Sequence, residues 1–499
     1  MNKHQKIAQC FSPAAFIHDT EENYQAIEKL IREQKIGGLT FFHSRLSAAA
    51  NFEKRAEVLD VTGTFEKMIG LINRYQSISK IPLLISIDGE YGLAMRVEKT
   101  PQYPFAITLG ALKTDAETQV EEVSYRMGLD MKRSGIHLNL APCADVNTNP
   151  NNPVIGYRSF GNDTEKVAKL SLAAYSGMKK AGIGACLKHF PGHGDTATDS
   201  HLGLPILHKT KAELEAEELF PFQYGIDRGV EMIMVGHLAV PALTSGKDIP
   251  ASISRELITD LLKGEMGFKG LVISDALNMK AVANLYAEPG ELEWQAFYAG
   301  NDILCFSDHV KEGIEKIAQN ASDEEVDAVF EKVIALKKRL GVMEFQPVEV
   351  PVFDWESHSK LQTELAEDYV SVISGAINPT ELQELSKAGK LGYQEFFTYE
   401  PGHFSKQLDF SFTSLNQAEK VILAVFVPSH KPLNQFGMDQ MVLDEIKELA
   451  KSKSCILIHF GNPLALKHFG NLEDFEAVIC GYQGFQEVQG VVADGLFGK

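Results

Sequence analysis

The chain has 499 residues, of which 44% are hydrophobic and 23% are charged. This composition is ordinary for a globular protein, and the length predicts two domains, one of which can be a barrel of more than about 250 residues. Acidic residues outnumber basic ones by 67 to 48, and the resulting net charge of −19 repels nucleic-acid phosphates and anionic lipid surfaces. We therefore expect small-molecule partners and neither nucleic-acid nor membrane partners.

The six cysteines are scattered, and no two of them form a C-x-x-C pair. Reduced, buried thiols are expected rather than a disulfide framework or a cysteine metal site. The first ten residues hold no apolar stretch long enough for a signal peptide, and no later segment reaches the roughly 20 apolar residues of a membrane span. We expect a cytoplasmic protein, or a periplasmic or secreted one if a leader has been trimmed.

Up to about residue 340, short apolar runs alternate with longer amphipathic stretches of helical period. This is the pattern of βα units on a parallel sheet, and seven or eight such units predict a (β/α)₈ TIM-like barrel over residues 1–340. An open doubly wound sheet is the alternative. Strands are predicted at 36–42, 83–88, 136–145, 184–189, 232–237, 271–275 and 303–306, and helices at 21–33, 65–79, 116–133, 164–181, 211–228, 255–266 and 291–299.

A Pro-punctuated acidic stretch near residue 350 indicates a linker, which we place at 341–368. A second, smaller α/β domain is predicted at 369–499, with no catalytic constellation of its own. A helix at 357–369 is predicted to precede this domain. The predicted strands of the domain are 370–374, 421–427, 455–459 and 477–481, and a helix is predicted at 438–452.

Polar side chains close the apolar runs that we predict to be barrel strands. Barrel enzymes assemble their sites at the carboxyl ends of the strands, so several polar residues at these positions predict one shared site. The strand ends carry Asp88, Asp145, Lys188, His189, His237 and Asp275.

Asp275 directly follows Leu-Val-Ile-Ser, which predicts that it stands at the end of a strand. A carboxylate at this place can point into the barrel mouth and attack or stabilise an electrophilic carbon. The alternative is that it caps the following helix, because Asp is a favoured N-cap residue. The local sequence leaves both open.

Asp199 and His201 stand two residues apart in a Gly-rich stretch. A carboxylate bonded to an imidazole fixes its tautomer and raises its pKa, so the ring can protonate a leaving oxygen and later deprotonate water. Residues 191–194, Pro-Gly-His-Gly, are expected to be the hinge of this loop. A metal site of His189, His193, His201 and an Asp is the competing hypothesis, which the spacings of four and eight residues disfavour.

Several further residues can form a polar ring around a substrate. Sugar hydroxyls need donors and acceptors together, and Asp combined with Lys or Arg supplies both. Taken singly, the two arginines of this set also fit surface ion pairs, but together with the strand-end residues they predict one sugar subsite. The ring consists of Asp88, Arg96, Arg158, Lys188 and His189.

Three motifs together resemble the β-N-acetylglucosaminidases of glycoside hydrolase family 3. The first is Lys-His-Phe-Pro-Gly-His-Gly at 188–194, followed by Asp-Ser-His at 199–201. The second runs from Asp-Val-Asn-Thr-Asn-Pro to Gly-Tyr-Arg-Ser-Phe-Gly over 145–161, and the third is Val-Ile-Ser-Asp at 272–275. The resemblance covers residues 1–340 in order. More weakly, residues 345–499 resemble the α/β sandwich domain that often follows the family 3 barrel.

The resemblance implies a retaining glycosidase with Asp275 as the nucleophile and His201, oriented by Asp199, as the acid/base. It also implies that the five residues of the polar ring bind the sugar, and that neither a cofactor nor a metal is needed. Two departures stand out: Asp88-Gly-Glu-Tyr-Gly replaces the Asp-Gln-Glu-Gly-Gly that is common in relatives, and Ala276 replaces a frequent Asp.

We therefore expect an exo-acting β-N-acetylglucosaminidase that removes terminal N-acetylglucosamine from small glycans such as peptidoglycan fragments. Other family 3 chemistry is the first alternative, as a β-glucosidase or β-xylosidase or as an N-acetylglucosaminide phosphorylase. A catalytically silent sugar-binding protein is the alternative from another class, and the intact Asp275, Asp199 and His201 argue against it.

Overall fold

The structure is a computed structural model that describes residues 1–44, 62–197, 203–398 and 402–498. The chain divides into two compact units. The first is formed by Met1–Ala106 and Glu117–Phe353, and the second by Ile107–Ala116 and Asp354–Lys499. Within the described ranges, no helix combines the length and apolar character needed to span a membrane.

Among its described residues the first unit contains ten short strands, and every ladder between these strands is parallel. In chain order they are β1 Phe11–Ser12, β2 Ala14–His18, β3 Gly38–Ser44, β4 Leu84–Ile87, β5 Leu138–Asn139, β6 Gly184–Ala185, β7 Leu187–Phe190, β8 Met232–Val235, β9 Leu271–Ser274 and β10 Leu304–Cys305.

These strands close into a circle. One run has the order β2-β3-β4-β5-β6, another has the order β7-β8-β9, and β1 pairs with β10. Single bridges from Cys143 to Lys188 and from Ile273 to Ile303 join the runs. Because β1 and β2 flank Pro13, and β6 and β7 flank Cys186, each of these pairs fills one strand position. Eight parallel positions result, and the predicted (β/α)₈ barrel is confirmed.

Most helices of the first unit agree with the predicted ones. Thr164–Ala181 begins where Asp163 accepts the N–H of Lys166, and it ends at Gly182, whose φ of 85° only glycine adopts readily. The predicted helix 211–228 is two helices, because Pro221 starts a new first turn. The helices are Lys3–Ala8, Glu21–Lys29, Thr64–Ile78, Ala116–Arg133, Thr164–Ala181, Lys211–Ala216, Phe220–Ile226, Lys280–Ala283, Glu291–Ala299, Val310–Asn320 and Asp323–Arg339, with π-helices at Leu30–Gln34 and Glu256–Glu265. The short helix Ala106–Leu109 begins at the last residue before the second unit's segment 107–116 and lies otherwise within that segment.

Side chains that alternate along the strands fill the barrel interior. Toward the carboxyl ends, three aromatic rings meet edge to face, with centroids 6.1–6.5 Å apart. They belong to Phe16, Phe42 and Phe306, and they form an apolar floor at this end of the barrel.

The second unit is an α/β sandwich around a five-stranded sheet of order β11-β15-β14-β13-β12. β11 Ser371–Gly375 is antiparallel to its neighbour, and the other ladders are parallel. The remaining strands are β12 Leu391–Phe396, β13 Lys420–Phe426, β14 Ser454–Phe460 and β15 Ala477–Cys480, and the helices are Trp355–Tyr369, Pro379–Lys387, His403–Gln407, Gln440–Ser452 and Gln486–Phe497.

Candidate functional site

The carboxyl ends of the barrel strands bring most of the predicted site residues together. Asp88 directly follows β4, Asp275 directly follows β9, and Lys188 and His189 lie in β7. Burial is the main cause that raises the pKa of the Cys186 thiol, in the barrel interior, to about 12. The charges of Asp88 and Asp275 also raise this pKa and that of Lys188 lowers it, so all three charges lie near the same thiol. The polar residues therefore surround one mouth.

Asp88 and Lys188 form the centre of the polar ring. Lys188 Nζ donates to Asp88 Oδ1 at 2.9 Å, and Arg96 approaches Asp88 Oδ2 at 3.4 Å. The guanidinium of Arg96 lies 3.9 Å above the ring of Phe42, which gives it an aromatic support. Burial alone would raise the pKa of Asp88, but the charges of Lys188 and Arg96 outweigh it and hold this pKa below its usual value.

Glu90 is a further member of the polar ring, which the sequence analysis missed, and it pairs with Arg158 and Lys188. Both of its carboxylate oxygens accept from Arg158, with Nε at 2.9 Å and Nη2 at 2.7 Å, and Lys188 Nζ lies 2.7 Å from the same carboxylate. Only 7% of the Glu90 side chain is exposed. Burial would raise its pKa, but Arg158 and Lys188 hold it well below its ordinary value. The available signal was its position two residues after Asp88, which places both side chains in the same mouth.

His189 connects this ring to Asp145. Its Nε2 faces Arg158 Nη2 at 3.2 Å, and because a guanidinium only donates, Nε2 carries no proton. Nδ1 therefore carries the proton and donates to Asp145 Oδ2 at 2.8 Å. Both ring nitrogens of His189 thus have protein partners, and the ring orients Arg158.

Cys143, Asp145 and His189 place three possible metal-ligand atoms within 4.8 Å of one another. Asp145 is completely enclosed, and Oδ2 accepts from the Cys143 thiol at 2.9 Å as well as from His189. Burial raises the pKa of Cys143 well above its usual value, and the charge of Asp145 adds to this rise. The hydrogen bonds from the Cys143 thiol and from His189 to the same carboxylate join these three residues into one network.

Asp275 stands just past β9 and is partly exposed. Its Oδ1 accepts the N–H of Ala276 at 2.7 Å. The helix that follows, Lys280–Ala283, has Met279 as its N-cap residue, so the N-cap alternative for Asp275 is wrong. The structure therefore places this carboxylate at the barrel mouth, and its role as the nucleophile stays a prediction.

Hydrogen bonds hold the chain segment that leads toward the predicted acid/base pair, Asp199 and His201. Asn152 Nδ2 donates to the carbonyls of His193 at 2.8 Å and Gly194 at 3.0 Å, and the N–H of His193 donates to Asp145 Oδ1 at 2.7 Å. Residues 193–196, which overlap the expected hinge at 191–194, are thus held in place by hydrogen bonds. Asp199 and His201 themselves lie outside the described residues.

Comparison with known families fits this geometry. Residues 3–336 match the family described as "Glycosyl hydrolase family 3 N terminal domain". The chain belongs to glycosyl hydrolase family 3. The predicted family and the prediction of a glycoside hydrolase are both confirmed.

Curated relatives of this family 3 hydrolase are similar over the barrel. Beta-hexosaminidase A of Pseudoalteromonas piscicida is 34% identical over 290 residues, which are 56% of this chain and 46% of that protein. A beta-hexosaminidase of Neisseria meningitidis serogroup C is 31% identical over 294 residues, 57% of this chain and 74% of the relative. The chain thus spans about half of the first relative's length and about three quarters of the second.

A solved structure extends the similarity to both units of this family 3 hydrolase. A family 3 β-N-acetylglucosaminidase from Paenibacillus sp. str. FPU-7 aligns with a TM-score of 0.78 and 25% identity, covering 100% of this chain and 97% of that one. A structure named beta-glucoside phosphorylase BglX reaches the same TM-score at 20% identity and covers 92% of that chain, which shows the shared fold alone.

The departure at Tyr91 leaves the ring of this family 3 hydrolase intact. Tyr91 packs edge to face against Phe105 at 4.9 Å, and Phe105 packs in the same way against Tyr157 at 4.9 Å. Asp88 and Glu90 on either side keep their contacts with Lys188 and Arg158. The extra aromatic ring therefore adds to the wall beside the ion pairs.

Proposed function

We propose that the chain is an exo-acting, retaining β-N-acetylglucosaminidase. The observation that carries the proposal is a partly exposed Asp275 at the end of β9, in the same mouth as a ring of ion-paired carboxylates and cations. Three cations, Arg96, Arg158 and Lys188, and two carboxylates, Asp88 and Glu90, offer the directional donors and acceptors that sugar hydroxyls require. Membership of family 3 and the names of the relatives support the same activity.

In the proposed reaction, Asp275 attacks the anomeric carbon and forms a glycosyl-ester bond as the bond to the leaving oxygen breaks. His201, oriented by Asp199, gives its proton to that oxygen, so the aglycone leaves as an alcohol. The neutral imidazole then removes a proton from water, which attacks the same carbon and releases the sugar with retained configuration and a free Asp275. Protons and charge balance over the cycle.

The ring holds the sugar while this happens. Burial lowers the pKa of Lys188, but the carboxylates of Asp88 and Glu90 outweigh it and hold the pKa above its ordinary value, so its amine stays charged. A fixed ammonium and a fixed guanidinium at Arg158 can each donate to hydroxyl oxygens without reorganising. We propose small N-acetylglucosamine-containing glycans, with peptidoglycan fragments as the natural class.

The testing experiment compares an aryl N-acetyl-β-glucosaminide with the matching aryl β-glucoside. We expect faster turnover of the N-acetylated substrate and no turnover by Asp275→Ala. Faster turnover of the plain glucoside would overturn the N-acetyl assignment. Phosphate added to the assay separates the remaining alternative, because hydrolysis yields the free sugar and is unaffected, whereas a sugar 1-phosphate product would show a phosphorylase.

A further inference from the structure

The backbone around Asp275 is held from both sides. The N–H of Asp275 donates to Val235 O of β8 at 2.9 Å, and the N–H of Leu277 donates to Cys305 O of β10 at 3.0 Å. Ala276, between them, uses its N–H to hold Asp275 Oδ1 at 2.7 Å. Its carbonyl lies beyond the end of β9 and needs a donor from outside the sheet.

His237 supplies this donor. The residue lies two positions beyond β8 and is completely buried, and its Nε2 is 2.8 Å from the carbonyl oxygen of Ala276. Because a carbonyl only accepts, Nε2 carries the proton, and the other nitrogen, Nδ1, is hydrogen-bonded to Ser252 Oγ at 2.7 Å. Ser252 is itself fixed, since its carbonyl accepts from Asn301 Nδ2 at 2.8 Å.

We propose that His237 is a positioning residue for the nucleophile. It acts through one peptide group: the imidazole fixes the carbonyl of Ala276, and the N–H of the same residue fixes Oδ1 of Asp275. The inference rests on the proposed function, because it assumes that Asp275 attacks the sugar.

The chemistry of an imidazole suits this task. With Nε2 bound to a carbonyl and Nδ1 bound to a hydroxyl, both ring nitrogens have a partner, so the imidazole keeps a fixed orientation toward the peptide group of Ala276. The device uses only the backbone of Ala276. It therefore does not depend on the side chain at position 276.

The expected effect is a displaced nucleophile with an intact sugar subsite. A misplacement of about 1 Å costs about 100-fold in rate. For His237→Leu we expect kcat/KM to fall by about 100-fold. The loss should be equal for aryl N-acetyl-β-glucosaminides with good and with poor leaving groups, because the nucleophile attacks in both reactions. Equilibrium binding of N-acetylglucosamine should stay unchanged, since the ring around Asp88 and Lys188 is untouched.

Two further variants keep the test decisive if His237→Leu folds poorly. His237→Gln retains a side-chain N–H and should restore most of the lost activity, while Ser252→Ala frees the tautomer and should give an intermediate loss. The matched control is His459→Leu in the second unit, because His459 is equally buried and its Nε2 also lies 3.0 Å from a backbone carbonyl, that of Asn462. This control should keep the wild-type rate.

The results separate the inference from the function on which it rests. Wild-type kcat/KM in His237→Leu, combined with an inactive Asp275→Ala, would overturn the positioning role alone. The positioning role would also be overturned if His237→Leu lost sugar binding as strongly as kcat/KM, or if His459→Leu lost as much kcat/KM as His237→Leu. Full activity in Asp275→Ala would instead overturn the proposed function.

Discussion

The substitution Glu90→Gln removes the charge from the most enclosed carboxylate of the ring while keeping its shape. Arg158 Nη2 and Lys188 Nζ, both 2.7 Å from Glu90, would then face an amide that offers a single acceptor oxygen. The side chains of Glu90 and Arg158 are only 7% and 15% exposed, so water screens the pair little. Removing one partner of a buried ion pair costs about 3–5 kcal/mol, and we expect this decrease in the free energy of unfolding of the first unit.

The assay is urea unfolding followed by the fluorescence of Trp294, with Trp355→Phe as the background so that only the first unit reports. The matched control is Glu122→Gln, because Glu122 Oε1 is also 2.7 Å from an arginine nitrogen, Nε of Arg126, but the two side chains are 42% and 33% exposed. That exposed pair should cost only about 0.3–0.5 kcal/mol.

The pH dependence follows from the pKa of Glu90, which is held well below its usual value in the folded chain. A lowered carboxylate pKa stabilises the fold above the unfolded value of about 4.3 and loses this effect as the pH falls. The difference between wild type and Glu90→Gln should therefore stay constant above about pH 5 and shrink only in acid. A loss below about 1 kcal/mol at pH 7, or one equal to that of the exposed control, would refute the buried-pair reasoning.

Three other substitutions test separate parts of the molecule. Burial lowers the pKa of Lys337 to about 7 in the folded chain, whereas an unfolded lysine keeps its proton to about pH 10. Between these values the unfolded chain binds more protons, so the free energy of unfolding of the wild type, relative to Lys337→Met, should rise by up to about 1.4 kcal/mol per pH unit. Urea titrations of both proteins across this pH range measure the difference. Asn152→Asp replaces the amide that donates to the carbonyls of His193 and Gly194 with a carboxylate, which only accepts. Because this segment leads to the predicted acid His201, we expect kcat/KM to fall by about 10-fold or more for substrates with poor leaving groups and less for those with good ones. Equal losses would contradict a role of Asn152 in supporting acid catalysis. Asp199→Asn should reproduce much of the pH profile of His201→Ala, and a wild-type profile would argue against the dyad.

The parts of the fold that the sequence predicted best are those with local signals. The helices 116–133, 164–181 and 291–299 have the predicted bounds. For the last two the ends are local signals, because Asp163 and Gly182 flank the first of them and Gly290 and Gly300 flank the second. The first barrel strand was missed, since Pro13 splits it into β1 and β2. In the second unit β12 was missed because Leu391–Phe396 mixes Gly, Gln and Glu with its apolar residues.

In the functional site, too, the residues with local signals were predicted and the long-range contacts were not. Asp88 and Asp275 were found because each one ends an apolar run, which is a local feature. The role of Glu90 was missed because its partners come from distant parts of the chain: Arg158 from the 3₁₀ helix Gly156–Arg158 after β5, and Lys188 from β7. Only the closed barrel brings them together. The positions of strand ends are therefore predictable from sequence, while the pairing of charges across the mouth depends on the register of the whole barrel.

The central claim is that Asp275 forms a covalent bond to the sugar. The most direct measurement is to trap this intermediate with a fluorinated N-acetylglucosaminyl fluoride, digest the protein and locate the label by mass spectrometry. The account predicts one sugar attached to Asp275 and none in Asp275→Ala. A label on another carboxylate, or turnover with inverted configuration at the anomeric carbon, would contradict it.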